Sequence, residues 1–173
     1  MLMQWSKAFL MNKSFTTFSG AIASRALLFP IESVYESYVV QQMKKVMSSE
    51  GWEVSSQDKG HYLFMESRRQ FALRPDIVMK RGGRTVILDT KWKSLVDNER
   101  VNYGISQADM YQMYAYQQKY KAEKVVLLYP KADSSPSDQK IVFESADGSS
   151  VSIQFVDLLD VKNSMKKIAF QFK

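Results

Sequence analysis

Between Leu73 and Lys93 the chain reads LRPDIVMKRGGRTVILDTKWK, two largely apolar arms joined at Gly82-Gly83. A Gly-Gly pair between such arms predicts a β-hairpin, because both central residues of the favoured tight turn need positive φ. With a two-residue turn Arg81 faces Arg84, and stepping outward along the arms brings Asp76 opposite Asp89. A four-residue loop over Arg81–Arg84 keeps this register, whereas a three-residue loop breaks it. Facing residues of an antiparallel pair have Cβ atoms about 4.5–5.5 Å apart, and two like charges there are destabilising. The neighbours Ile77, Val78, Ile87 and Leu88 are apolar, so these strands are expected to be buried and the acids are not a solvated ion-pair cluster. A divalent cation held by both carboxylates removes the conflict.

Lys91 lies two residues beyond Asp89 and so projects from the same face of the strand. Two acids and a lysine therefore converge. This is the set that phosphodiester hydrolysis needs: a metal to offset developing negative charge and acidify a water, and a cation to position that water or stabilise the transition state. A lysine acting as general base would need a pKa far below its ordinary value of about 10.4, so orientation and electrostatics are the expected role of Lys91.

Composition narrows the alternatives. The 173 residues include no cysteine and a single histidine, His61, which removes thiolate zinc sites, cysteine nucleophiles and multi-histidine metal chemistry. Oxygen ligands remain, and with them hard cations such as Mg²⁺, Mn²⁺ or Ca²⁺. Lys and Arg number 24 against 18 Asp and Glu, a formal charge of +6, with the basic residues scattered along the chain. That balance suits a polyanionic partner. No apolar run approaches the roughly 20 residues of a membrane span, and the N-terminus lacks a signal-peptide pattern, so a soluble, cytoplasmic protein is expected.

Along the chain, residues 1–29 read as the end of a preceding helical or linker region. They hold a weak amphipathic helix around Leu2, Trp5 and Phe9, the polar stretch KSFTTFSG, and a second short helical run to Leu28. Residues 30–173 form the expected main domain. Pro30 begins a helix over 31–47 with apolar residues at three-and-four spacing, among them Tyr35, Tyr38 and Val39 on its core side. WEVSS and YLFME read as strands ahead of the hairpin. Ser106 and Asp109 form a capping box opening a helix over 106–120, with Met113 and Tyr114 as core residues. KVVLLYP has the apolar continuity of a strand buried on both faces. A hairpin around Asp147-Gly148 and a short helix in DLLDVKNSMKKI complete the chain.

Pro75-Asp76 followed by Asp89-Thr90-Lys91 resembles the PD-(D/E)xK nuclease motif. Asp-x-Lys alone is common, but FPIESVYESYV, LRPDIVMK, ILDTKWK, GISQADMYQMYAY and VVLLYP, in this order over roughly Leu27 to Pro130, together resemble the C-terminal nuclease region of the McrC family. That family supplies the DNA-cleaving subunit of the McrBC modified-cytosine restriction system. The resemblance implies an α/β fold of the restriction-endonuclease type, with a central mixed sheet flanked by helices. It implies an Mg²⁺-dependent DNA endonuclease, Mn²⁺ substituting, with Asp76 and Asp89 as metal ligands, the carbonyl of Thr90 as a further ligand and Lys91 completing the site. An acid from the first helix joins such sites, and Glu36 is preferred to Glu32, one turn away on the same face. Gln107 and Tyr111 match the Q-x-x-x-Y spacing that accompanies related nuclease sites, and Gln107, in the first turn of its helix, is placed to meet a phosphate. Lys93, just past the site, is a second candidate phosphate contact.

The implied partners are DNA, an McrB-like AAA+ GTPase or ATPase motor, and a second copy of the chain for double-strand cleavage. McrC chains carry a sizeable region ahead of the nuclease through which they dock on the motor, and only its last part is expected here. No G-x-x-x-x-G-K-[ST] occurs, so the motor is expected to be another chain. Two other functions fit the same fold, a motor-independent nuclease of DNA repair and a non-catalytic DNA-binding or assembly module. Two opposed acids beside phosphates argue against the second. His61 is assigned no role, and Trp52 and Trp92 are expected to pack.

Overall fold

The computed structural model describes residues 15–19, 22–26, 30–65, 68–136 and 141–172. The chain divides into two compact units, Met1–Ile31 and Glu32–Lys173. In the first, β1 (Phe15–Ser19) and β2 (Ile22–Ala26) pair antiparallel, from Phe15 against Ala26 to Ser19 against Ile22. This corrects the expected second helical run to Leu28, and places a strand within the polar stretch KSFTTFSG. Phe, Thr and Ile favour extended backbone, and the pairing satisfies backbone groups that a short isolated helix would leave open. The helix expected around Leu2, Trp5 and Phe9 lies outside the described residues.

The second unit begins on α1 (Ile31–Ser48), which buries Tyr35, Val39, Val40, Met43 and Met47, a stripe at helical spacing. Tyr38, expected on that side, is exposed. Six strands follow in one mixed sheet: β3 (Glu53–Ser56), β6 (Ile77–Arg81), β7 (Arg84–Thr90), β8 (Lys124–Pro130), β10 (Ser150–Val156) and β9 (Ile141–Glu144), in that spatial order. β7, β8 and β10 run parallel, while β3, β6 and β9 are antiparallel to their neighbours. The remaining strands, β4 (His61–Phe64) and β5 (Gln70–Leu73), form a separate two-stranded sheet, so the strand expected in YLFME does not join the central one.

Strand alternation distributes the core between two faces. Ile77, Met79, Val86, Leu88, Val126 and Leu128 pack with α1 and with α3 (Val161–Phe170), while Val78, Ile87, Val125 and Leu127 pack with α2 (Gln107–Tyr120). Each such side chain, wholly removed from water, contributes about 1.5–3 kcal/mol of transfer free energy. β8 is buried along nearly its whole length, as the unbroken apolar run KVVLLYP requires. Buried Trp52 lies under two cations, with the guanidinium carbons of Arg81 and Arg84 at 4.6 and 5.5 Å from its ring centre. Trp92 is half-exposed and tilts against Tyr35, ring centres 5.3 Å apart.

The Gly82-Gly83 turn has φ of +54° and +81°, the two positive values a tight hairpin of this hand demands. Arg81 therefore pairs with Arg84, and the ladder runs in the expected register to Ile77 against Leu88. Ser106 caps α2 by accepting a hydrogen bond from the Asp109 N–H at 3.1 Å. The opposite end of α2 is tied to the terminal hairpin. Gln117 accepts from the Ser150 N–H, and Tyr114 donates to Asp147 at 2.6 Å, so Tyr114 is a half-exposed hydrogen-bonding residue rather than core. Among the described residues no helix is long and apolar enough to cross a membrane.

Candidate active site

The site lies where β7 delivers its carboxyl end and β6 begins. Asp76 is the position just beyond the last ladder pair, after buried Pro75, and its backbone carbonyl accepts from the Gln57 N–H at 3.2 Å. Its Oδ2 accepts from both the N–H (2.7 Å) and the hydroxyl (2.6 Å) of Thr90. Thr90 thus orients the acid at the strand end and takes up part of its charge. Asp89, one residue earlier on β7, faces α2 with a side chain only 3% exposed. Its Oδ2 has no contact with solvent and is paired with the Lys91 ammonium at 2.7 Å. Burial first, and then the charge of Asp76, push the Asp89 carboxyl up to about 7 against the pull of Lys91.

Lys91 shares the Asp89 face, as the two-residue spacing predicts, and three partners hold it. Besides Asp89 it donates to Gln112 Oε1 at 3.0 Å and lies 3.7 Å from Asp109 Oδ1. Burial opposes its charge, but Asp89, Asp109 and Asp76 outweigh that effect and keep the ammonium above the ordinary lysine value. The group is a fixed cation, which fits orientation and electrostatics better than proton abstraction. Gln112 is itself held, since its Nε2 donates to the hydroxyl of buried Tyr116 at 2.8 Å. Both ends of that amide are engaged, which aims its oxygen at Lys91.

The other expected site residues are placed differently. Glu36 lies close enough for Asp76 to affect it. Burial raises its pKa most, the hydrogen bond from Gln57 Nε2 (2.9 Å) opposes this, and Asp76 adds to the rise. Glu32 is exposed. Gln107 donates to the Tyr111 hydroxyl at 2.6 Å, and the two form a closed pair on the outer face of α2, with Tyr111 66% exposed. The ammonium of Lys93 donates to the Gly104 carbonyl, which ties the strand end to the irregular 3₁₀ segment Glu99–Gly104.

The residues that do reach Lys91 from α2 are Gln112, to which the sequence reading gives no role, and Asp109, which it assigns only to the helix cap. Yet Q-x-x-x-Y occurs twice in succession, at Gln107/Tyr111 and Gln112/Tyr116. The two glutamines are five residues apart, about 140° around the helix at 3.6 residues per turn. The pair whose tyrosine shares the stripe of Met113 and Tyr120 is the one that faces the sheet, and this was the available signal.

Oxygen donors suit a hard cation, and two carboxylates that oppose each other's charge are the groups such an ion would satisfy. Among the described residues no three Asp, Glu or His side chains converge closely enough to hold a metal together. A site of two carboxylates completed by backbone and water oxygens is the arrangement Mg²⁺ ordinarily accepts. In buffer free of divalent cations the raised Asp89 pKa has a consequence for folding. The folded state binds this proton more tightly than the unfolded chain, so the associated stability is complete below the ordinary carboxylate pKa and is lost as pH rises through about 7. Thermal melts are expected to show Tm falling between pH 5 and 8. Asp89→Asn should flatten that profile and raise Tm at pH 8 by roughly 2–4 °C for each kcal/mol of repulsion relieved. A wild-type Tm that rises with pH over this range would contradict the assignment.

Fold and site together define an α/β protein whose mixed six-stranded sheet presents two acids and a lysine at the carboxyl end of a central strand. Residues 1–130 match the family model described as McrBC 5-methylcytosine restriction system component. The chain belongs to that family, to which its resemblance to McrC pointed. Its fold is similar to that of a chain in the refined half-complex from a tetradecameric assembly of Thermococcus gammatolerans McrB AAA+ hexamers with bound McrC. The TM-score is 0.65 at 12% identity, over 86% of this chain and 35% of that one. The present chain thus spans about a third of the length of that relative. No curated protein matches it.

Proposed function

We propose that this chain is the DNA-cleaving part of an McrBC-like restriction system, an Mg²⁺-dependent endonuclease of PD-(D/E)xK type that works with an McrB-like AAA+ motor on another chain. The observation that carries the proposal is the buried Asp89 carboxylate, whose charge burial and Asp76 both oppose and which is paired at 2.7 Å with a lysine that α2 also holds. A sheet assembled for stability alone has no use for that arrangement. Family membership and the fold shared with a chain of an McrB–McrC assembly support the same reading.

Asp76 and Asp89 would hold the ion, with the Thr90 carbonyl as a further oxygen. Bound there, Mg²⁺ supplies Lewis acidity toward the scissile phosphodiester and lowers the pKa of a water. The protein's own residues do the rest. Thr90 keeps the Asp76 carboxylate aimed at the strand end. Gln112 and Asp109 keep the Lys91 ammonium beside Asp89, where its charge orients an attacking water and offsets charge growing on the phosphate. Glu36, hydrogen-bonded to Gln57, is the third acid within electrostatic reach.

One such set addresses one phosphodiester, and a duplex has two backbones of opposite polarity. A single copy is therefore expected only to nick, and a double-strand break needs two copies to meet on the DNA. Supercoiled plasmid followed over time in Mg²⁺, with and without the motor, tests both points. The expected course is nicked circles first and linear product later, with no reaction in EDTA. Linear DNA formed without a nicked intermediate, first order in dilute monomeric protein, would overturn the strand-count argument. Absence of cutting in Mg²⁺ or Mn²⁺ with the motor present would overturn the nuclease reading.

A further inference from the structure

The small sheet of β4 and β5 carries a feature that the cleavage site does not use. Phe64, Met65 and Phe71 are 58%, 62% and 70% exposed, and the two phenyl rings meet edge to face with centres 5.9 Å apart. The pairing of Tyr62 with Ala72 and of Phe64 with Gln70 would, in a regular strand, turn Phe71 to the opposite face from Phe64. Phe71 instead has φ +56°, in the left-handed region that bulky L residues adopt only under strain. The strain breaks the alternation and sets the ring beside Phe64 in solvent, the reverse of what burial of apolar surface favours.

The surroundings are cationic. From Lys59 to Arg74 the sequence contains Lys59, Arg68, Arg69 and Arg74 against one acid, Glu66. Arg68 and Arg69 are exposed, and the Arg69 guanidinium carbon lies 5.7 Å from the Tyr62 ring centre. The base of the hairpin is anchored to the elements that build the site. His61 stacks on Tyr120 of α2 with ring centres 3.8 Å apart, and Leu73 is buried in the core that holds Tyr116. Only five steps of chain separate Phe71 from Asp76. They span at most roughly 18 Å, or about five base pairs of duplex at 3.4 Å each.

We infer that this hairpin is a duplex-DNA contact, in which Phe71 and Phe64 wedge against base steps beside the scissile phosphate while Arg68 and Arg69 engage the flanking backbone. Apolar wedges of Phe and Met accompanied by arginines are how proteins enter and bend a duplex through its minor groove. The identity of the partner rests on the nuclease reading above. Exposed arginines on the same hairpin, and the short tether to Asp76, favour DNA over a protein surface.

The test is binding of a labelled duplex to the full chain in EDTA, so that no cutting intervenes. Glycine adopts positive φ freely, so Phe71→Gly is expected to keep or raise Tm while weakening duplex binding about tenfold. Phe64→Ala should weaken it similarly, and Arg68→Gln or Arg69→Gln should each reduce the salt dependence by about one phosphate contact. A 2-aminopurine placed in the duplex should brighten with the wild-type chain and not with Phe71→Gly. Unchanged affinity in Phe71→Gly and Phe64→Ala, tighter binding to single strand than to duplex, or loss of self-association or motor binding instead of DNA binding would each overturn the inference. Its failure is separable from that of the nuclease reading. Duplex binding through the hairpin without cutting removes the nuclease alone, and cutting with an indifferent hairpin removes the wedge alone.

Discussion

Asp89→Asn and Asp76→Asn are each expected to bring plasmid nicking to background, a loss of at least about a thousandfold on the scale of removing one preorganised electrostatic group. The two variants should differ in stability. Asn at 89 removes a charge that burial and Asp76 both oppose, so the metal-free fold should gain stability. Asn at 76 places a neutral amide against the Thr90 N–H and hydroxyl, exchanging two charge-assisted hydrogen bonds for weaker ones. Its relief of Asp89 is partly offset, and the net gain should be smaller. Nicking assays and melts on the same preparations measure both effects. Wild-type cutting by either variant would remove the site assignment.

Lys91→Ala is expected to lose cutting by about a hundredfold or more while retaining Mg²⁺ binding, because the ammonium acts on water and phosphate and is not a ligand. Gln112→Ala should lower cutting by about tenfold to a hundredfold, as loss of a group that orients an active residue does. Gln107→Ala should cut within about twofold of wild type, since its amide is hydrogen-bonded to an exposed tyrosine about 140° around the helix from Gln112. Calorimetric Mg²⁺ titrations alongside plasmid assays separate the two roles. An Mg²⁺ affinity in Lys91→Ala as weak as in the aspartate variants would show the lysine to be part of the ion's binding site. A Gln107 variant more damaged than Gln112→Ala would reverse the reading of the helix.

Much of this site was legible in the chain because its rules are local. Strand side chains alternate with period two, and a Gly-Gly turn permits few registers, so the ladder from Arg81–Arg84 to Ile77–Leu88 and the shared face of Asp89 and Lys91 follow from counting. The Ser106 cap and the buried run of β8 are equally local, each decided within one turn or one strand. The hairpin of β1 and β2 escapes local rules because FTTFS and IASRA are short, and their weak periodicity is outweighed by pairing with each other. YLFME was recognised as extended, but the strand's own residues do not say which neighbour it pairs with, and it pairs with β5 away from the central sheet.

The sequence by itself determined the hairpin that carries Asp76, Asp89 and Lys91, its register and the helix that follows it. Only the tertiary structure decided which face of that helix meets the sheet, and with it the contact of Lys91 with Gln112, where Gln107 bonds Tyr111 instead, and with Asp109. Gln112 is 21 residues from Lys91 in the chain, and the hydrogen bond between them exists because Met113, Tyr116 and Tyr120 turn one stripe of α2 onto β7 and β8. Helical rotation about its own axis is set by the burial of that stripe, a sum over partners from four strands, and no local spacing rule contains it.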